Sequence, residues 1–206
     1  TTGTSHKLVS HFVHMRATTA IAAPQPEVGV LVEAPPATLP SLASTLSASG
    51  IRASFAVDPA GSASDLAVGH YGDQAVPRLP TAGLVRWLAT RRQLHHLGTP
   101  MGFGRHFLYA SSGPSVGQWW LAHRAGGRLI AGAVRLDDRD DPTGTLRPGE
   151  VVEVTVTNDG QLATVIHRLR GQLGAGHLAA VPVGQLIRDA DRRSRTVAPA
   201  RHRTSV

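Results

Sequence analysis

Cysteine does not occur in this chain of 206 residues. Its absence excludes disulfide bonds, thiolate metal sites and cysteine nucleophiles, but it does not fix a cellular compartment. Long apolar runs are missing as well, because the longest fall far short of the ~20 residues that a membrane-spanning helix needs. Residues 18–23 are small and apolar but too few for the core of a signal peptide. We therefore expect no transmembrane segment in this chain, and no signal peptide is visible.

Lysine is nearly absent, and arginine supplies 20 of the 21 basic residues behind a formal net charge of +7. An arginine bias of this kind is typical of a GC-rich genome and is weak evidence for a nucleic-acid partner. The positive charge is concentrated near the end of the chain, where residues 192–203 include five arginines. Aromatic residues make up only 4% of the chain and do not interleave with a basic groove. We therefore expect no nucleic acid as a partner.

A βαβ unit is predicted near the start of the chain. Residues 28–32 are rich in β-branched side chains and indicate a strand. A helix follows that begins at Thr38 or Pro40, and Gly50 ends it. Residues 51–57 then alternate as a second strand. Such a unit implies two parallel strands joined by a right-handed crossover.

Strand and helix patterns continue to alternate along the rest of the chain. Further helices are predicted over 80–97, 115–123, 161–173 and 183–189, and further strands over 107–110, 128–136, 151–157 and 177–181. The sequence Asn158-Asp159-Gly160 predicts a turn. The pattern indicates a mainly parallel α/β sheet, either doubly wound or closed as a barrel, and it does not choose between them. In both architectures ligands bind at the carboxyl ends of the strands.

A single folded domain is predicted over residues 27–190. Residues 1–26 lack apolar periodicity and end in Pro24-Gln25-Pro26, which predicts a linker or a disordered arm. Residues 191–206 predict a basic, disordered tail, because their arginines repel one another and few apolar side chains accompany them.

The two ends of the predicted domain resemble a known family. Residues 28–36, Thr38-Leu39-Pro40 and the segment GIRASFAVD at 50–58 are similar to the start of the polysaccharide deacetylase (NodB-homology) family of carbohydrate esterases. In that family a strand ending in Thr-Phe-Asp-Asp-Gly-Pro precedes a helix and then Gly-Ile/Val-Arg/Lys-Ala-Thr-Phe-Phe-Val. Residues 146–187, which begin LRPGEVVEVTV, resemble the closing unit of the same family. The resemblance implies an irregular (β/α) barrel of about seven strands.

The catalytic motifs of this family are largely replaced in the first half of the chain. In the first motif, the general-base aspartate falls on Glu33 and the metal-ligand aspartate on Ala34. The second motif, His-Ser/Thr-x-x-His, falls near residues 74–78, where the sequence QAVPR contains no histidine. The preceding Gly69-His70-Tyr71 resembles the Gly-His-Glu that stands before that motif.

The two later motifs have also lost their functional residues. The third motif, Arg-Pro-Pro-Tyr/Phe-Gly, falls on residues 108–112 and lacks its arginine, and the histidine of the last motif falls at about Thr155. Removal of an N-acetyl group by this family needs a divalent metal that polarises the amide and activates water. Without the aspartate and the histidine pair there is nothing to hold a zinc-like ion. We therefore expect no metal, no other cofactor and a loss of the family's chemistry, with Glu33 retained at the general-base position.

Several side chains remain as candidates for binding a ligand: Glu33, His70, Tyr109, Trp119, Trp120 and Asp137. Of the paired tryptophans, one should face the core while its neighbour turns aside. A half-exposed tryptophan can stack on a sugar ring, although core packing is the simpler interpretation. Asp137 begins an acidic cluster over 137–141 that follows a predicted strand. A solvated loop paired with nearby arginines is the favoured interpretation over a calcium site.

Three hypotheses for function follow from these observations. The first is a catalytically impaired polysaccharide deacetylase-like domain that binds a glycan or a protein partner, which the resemblance would place at the cell envelope or outside the cell. The second is an active carbohydrate N-deacetylase, a hydrolase of C–N bonds, with a site rebuilt from Glu33, His70 or the 137–141 loop. The third is a structural module whose basic tail docks to an acidic partner or membrane surface. The missing ligands favour the first and third, and the oligomeric state stays open.

Overall fold

A computed structural model describes residues 18–23, 25–58, 74–79, 107–110, 115–124, 127–137 and 145–196. The strands are β1 (Glu27–Glu33), β2 (Ser54–Val57), β3 (Gln74–Pro77), β4 (Phe107–Tyr109), β5 (Arg128–Ile130), β6 (Val134–Leu136), β7 (Val151–Thr155) and β8 (Ala179–Pro182). The helices are α1 (Leu39–Ala48), α2 (Val116–Arg124), α3 (Asp159–Ala175) and α4 (Val183–Thr196). The predicted helix over 80–97 and the candidate His70 lie outside these residues. None of the described helices is long and apolar enough to span a membrane.

Strand β1 is the centre of the sheet. It pairs with β7 along one edge, while the other edge pairs first with β8 and then with β2. The sheet continues to β3 beyond β2 and to β6 beyond β7, and β4 and β5 form a second pair. Every one of these strand pairs is parallel, which confirms the predicted mainly parallel α/β fold and the predicted parallel pairing of β1 with β2.

The apolar stripe of α1 and the glycine that ends this helix account for the first βαβ unit. A 3-10 turn over Pro36–Thr38 leads into α1, which buries one apolar stripe against the sheet. Gly50 then adopts a left-handed conformation with a φ of 70°. In that conformation the backbone turns back, and the N–H of Ile51 donates to the carbonyl oxygen of Leu46 over 2.9 Å. A residue with a side chain is strained at this φ, so glycine is the natural terminator.

The strands bury apolar side chains on both faces. On the outer face, valines of β1, β2 and β7 pack against α1 and α3: Val28, Val30, Val32, Val57, Val152 and Val154 are all buried there. On the inner face, a second cluster is closed off by the first turns of α4: Leu31, Ala56, Val76, Phe107, Tyr109, Ile130, Val151, Val183 and Ile187. Side chains alternate between faces along a strand. Glu33 therefore shares the inner face with Leu31, and Glu153 and Thr155 share it with Val151.

Two local predictions are wrong in detail. Residues 128–136 were predicted to form one strand but form two, β5 and β6, separated by residues 131–133. At Gly132 the chain passes so close to β7 that an added Cβ would lie 2.5 Å from Cβ of Glu153. The predicted turn at 158–160 is instead the start of α3, because the side chain of Asn158 accepts a hydrogen bond from the N–H of Gln161 over 3.2 Å and caps the helix.

Residues beyond both ends of the predicted domain contact the folded body or continue its last helix. The N–H of Thr18 donates to Leu129, and the N–H of Ile21 donates to Gly149, each over 2.8 Å. The segment assigned to the arm therefore includes residues that are hydrogen-bonded to the folded body. At the other end, α4 continues past residue 191, where the tail was predicted to begin. The division into arm, domain and tail itself stays a prediction.

Candidate functional site

Glu33 lies at the carboxyl end of β1 and is held by two other side chains. Its Oε1 lies 2.7 Å from a guanidinium nitrogen of Arg78. Its Oε2 accepts a hydrogen bond of 2.8 Å from the hydroxyl of Tyr109. The side chain of Glu33 is 14% exposed and that of Arg78 is 45% exposed, so the pair lies where the inner face of the sheet meets solvent. Both carboxylate oxygens are thus engaged.

The backbone fixes the partners of Glu33. Arg78 directly follows β3, and its N–H donates to the carbonyl oxygen of Val57 over 2.8 Å. Tyr109 is the last residue of β4 and is fully buried. Its carbonyl oxygen accepts from the N–H of Leu79 over 2.8 Å, which ties β4 to the segment that carries Arg78. Because β1, β3 and β4 are parallel, their carboxyl ends converge on one opening of the fold. We call this opening, around Glu33, Arg78 and Tyr109, the mouth.

A second charged pair lies beside the first. Glu153 of β7 is in register with Leu31 of β1 and with Arg135 of β6. Its Oε1 lies 3.3 Å from Nε of Arg135, but the same Nε donates to the hydroxyl of Thr155, also over 3.3 Å. The contact between Glu153 and Arg135 is an ion pair only, because Oε1 of the buried Glu153 has no hydrogen-bond partner among the described residues. The side chain of Arg135 is 47% exposed.

The side chain of Tyr109 is fully buried and lies near two carboxylates, those of Glu33 and Glu153. Burial raises its pKa far above the usual value of about 10, and the negative charges of Glu153 and Glu33 add to the effect. Tyr109 is therefore a neutral hydrogen-bond donor at neutral pH and above it. Its hydroxyl donates its one hydrogen bond to the carboxylate of Glu33. The residue cannot act as a tyrosinate base.

The structure brings together some of the candidates named from the sequence. Glu33 and Tyr109 are in direct contact, and Thr155, expected where the family has a histidine, is the register partner of Glu33. Asp137 follows β6, and its carbonyl oxygen accepts from the guanidinium of Arg168 over 3.0 Å.

The tryptophans belong to a different part of the molecule. Trp119 packs against an apolar cluster that includes Leu108 and Leu129, on the face of β4 and β5 opposite to Tyr109. Trp120 is 41% exposed and lies on the same helix, with the guanidinium of Arg124 5.7 Å from its ring centroid. The structure therefore does not group the two tryptophans with Glu33.

Sequence reasoning missed Arg78, Arg135 and Glu153. Glu153 carried a usable signal, because a glutamate inside the alternating segment VVEVTV must share the face of buried valine or leucine neighbours. Arg78 carried a weaker signal: it is the last residue of the segment QAVPR, whose relevance to the family motif lies in histidines that it lacks. Neither signal names the partner, since each ion pair joins residues that are distant in the chain.

The donor set at this mouth does not fit a divalent metal. In the described part of the chain, no three histidine, cysteine, aspartate or glutamate side chains lie together. Glu33 is the one carboxylate at the end of β1, and the guanidinium of Arg78 already occupies the position beside its Oε1. A cation would have to displace that positive charge, while the neighbouring Ala34 offers no ligand atom. The expectation of no bound metal itself stays a prediction for the whole chain.

Comparison with known proteins defines the class of fold. No known family profile and no curated protein sequence matches this chain. The solved chitin deacetylase of the fungal pathogen Colletotrichum lindemuthianum is similar, with a TM-score of 0.65 and 14% identity over 84% of this chain and 91% of that one. A peptidoglycan N-acetylglucosamine deacetylase has a TM-score of 0.65 and 11% identity over 86% and 95%.

A pseudoenzyme of the CE4 family from Bacillus anthracis is similar as well, with a TM-score of 0.58 and 12% identity over 81% of this chain and 67% of that chain. The shared property is the fold, because the identities are too low to carry more. The chain has the fold of the family 4 carbohydrate esterases, which confirms the resemblance inferred from its sequence. Enzymes and a pseudoenzyme are both found among the similar structures.

Proposed function

We propose that this chain is a catalytically impaired polysaccharide deacetylase-like domain that binds a glycan at the mouth formed by β1, β3, β4 and β7. The observation that carries the proposal is the donor set of the mouth, where Glu33 is paired with Arg78 and Tyr109 and the described residues hold no cluster of metal ligands. Each oxygen of Glu33 keeps a lone pair beside these contacts, so the carboxylate can still accept a hydrogen bond from water or from a sugar hydroxyl. Without a metal to polarise the scissile amide, such a hydrogen bond does not lead to hydrolysis.

Binding of a sugar requires only hydrogen-bonding groups that are already oriented. Arg78 and Arg135 are each fixed on one side by a carboxylate and are about half exposed, so their remaining N–H groups can donate to sugar oxygens. Pre-orientation lowers the entropy lost on binding, because the long side chains are already ordered. Glu33, with its exposed fraction of 14%, can accept from a sugar hydroxyl. The cell envelope is the proposed location, by analogy with proteins of this fold that act on peptidoglycan.

A matched set of variants tests glycan binding. Chitohexaose and a peptidoglycan fragment are titrated into the protein by calorimetry. Arg78→Gln and Arg135→Gln should each weaken binding about tenfold, the loss expected for one charge-assisted hydrogen bond. Arg188→Gln removes the same charge from the exposed surface of α4 and should leave binding unchanged. Failure of both glycans to bind would favour a protein partner instead.

The alternative of a rebuilt active site is tested in the same samples. Acetate release and metal content are measured for the purified protein with and without added Zn²⁺. The proposal expects no acetate above background and no stoichiometric metal. One metal per chain together with acetate release that is lost in Glu33→Gln would establish a hydrolase whose remaining ligands come from residues such as His70.

A further inference from the structure

A cavity separate from the mouth opens at the amino end of β5. Its volume is about 320 Å³, and its walls include Trp119 and His123 of α2, together with Thr18 and Arg128. Arg128 is the first residue of β5, whereas Tyr109 of the mouth is in register with the last residue of that strand. The cavity therefore lies toward the opposite ends of the strands from Glu33.

One wall of the cavity is aromatic and well fixed. The rings of Trp119 and His123 are parallel to within 3°, with centroids 5.3 Å apart. The two residues are four apart on α2, which brings their side chains together on one face of the helix. Trp119 also packs against the apolar cluster under α2. The stacked indole and imidazole thus form a fixed aromatic wall of the cavity, against which the apolar face of a sugar ring can pack.

The other wall carries a positive charge that is only loosely paired. A guanidinium nitrogen of Arg128 lies 3.6 Å from Oδ1 of Asp191, and the two side chains are 46% and 57% exposed. An ion pair this long and this exposed is weak. Among the described residues that line the cavity, none is acidic. Arg128 can therefore turn its planar fork of donors to a carboxylate inside the cavity.

The volume of the cavity suits a ligand of one ring. Pockets for small molecules begin at about 300 Å³, and this cavity is close to that lower limit. We propose that it binds a single six-membered sugar ring that carries a carboxylate, as in a uronic acid, with the ring against the wall formed by Trp119 and His123 and the carboxylate at Arg128. This site is additional to the glycan-binding mouth and does not depend on it.

Calorimetric titration of the full chain with D-glucuronate tests the proposal, with D-glucose and benzoate as comparison ligands. We expect saturable binding of one glucuronate per chain, at least about tenfold tighter than either comparison ligand. Arg128→Gln and Trp119→Leu should each weaken it about tenfold, equivalent to the loss of one charged or stacking contact. Asp191→Asn should tighten it, because Arg128 loses its competing partner.

Two controls separate this site from general charge effects and from the mouth. Arg124→Gln removes an equal charge from the end of α2 without touching the cavity and should leave affinity unchanged. Arg78→Gln should also leave it unchanged, whereas it weakens chitohexaose binding at the mouth. Each variant is checked for an unaltered circular dichroism spectrum.

Several outcomes would overturn the proposal. Absence of glucuronate binding, or equal binding of glucose, would show that the cavity does not select a carboxylate sugar. Benzoate binding as tightly as glucuronate would assign the cavity to planar carboxylates instead. A loss of glucuronate affinity in Arg78→Gln with no loss in Arg128→Gln would move the binding to the mouth.

Discussion

The two contacts of Glu33 should differ in strength, because one is buried and the other is half exposed. The hydroxyl of Tyr109 is excluded from solvent and donates to a carboxylate. A bond of this kind contributes about 1.5–3 kcal/mol to stability. The ion pair with Arg78 is screened, since 45% of the arginine is exposed, and exposed pairs contribute only about 0.2–1 kcal/mol. The structure therefore predicts that Tyr109 is the stronger partner.

Double-mutant cycles measure this difference. Glu33→Ala is combined with Tyr109→Phe and, separately, with Arg78→Gln, and the free energy of unfolding is obtained from urea titrations with an unchanged m value. We expect a coupling energy of about 2 kcal/mol for the Tyr109 cycle and about 0.5–1 kcal/mol for the Arg78 cycle. Arg188→Gln, on the surface of α4, should be additive with Glu33→Ala. A coupling to Tyr109 below about 0.5 kcal/mol, or one smaller than that to Arg78, would refute the reasoning.

Three further predictions concern stability. Because the pKa of Tyr109 is raised, its hydroxyl stays protonated in the folded state but is deprotonated in the unfolded state above about pH 10. The stability of the natural chain relative to Tyr109→Phe should therefore be constant below that pH and fall as the pH rises further. A difference in urea midpoints that does not change with pH would contradict this prediction. Gly132→Ala should lower the free energy of unfolding by about 1–3 kcal/mol, because the new Cβ would clash with Cβ of Glu153. Gly171→Ala, in open space on α3, should raise it by about 0.5–1 kcal/mol. Thermal melting measures both changes. Asn158→Ala should lose about 1 kcal/mol of stability by removing the cap of α3, and unchanged melting would argue against that cap.

Local signals in the sequence were sufficient for the framework of the fold. The apolar stripe of α1, the left-handed Gly50 and the β-branched run of β1 each act over a few residues, so each can be recognised without knowing the rest of the molecule. The break between β5 and β6 could not be recognised in this way. It arises from the close approach of Gly132 to β7, a contact between segments that lie apart in the chain.

The candidate site was predictable only in part, for the same reason. Glu33 was located by its place at the end of a strand and by its resemblance to a known motif. Its partners depend on which strands converge: Tyr109 is 76 residues away, and Arg78 reaches Glu33 only because β3 ends at the same mouth. A motif search for metal ligands passes over an arginine, although an arginine next to this carboxylate changes the chemistry of the mouth most directly.

Paired measurement of chitohexaose binding and acetate release tests the central claim most directly. The purified chain is incubated with the glycan in the presence and absence of Zn²⁺, and bound ligand and free acetate are quantified together. The account predicts binding that is weakened in Arg78→Gln and no acetate above background in either condition. Acetate release that depends on Zn²⁺ and disappears in Glu33→Gln would contradict it.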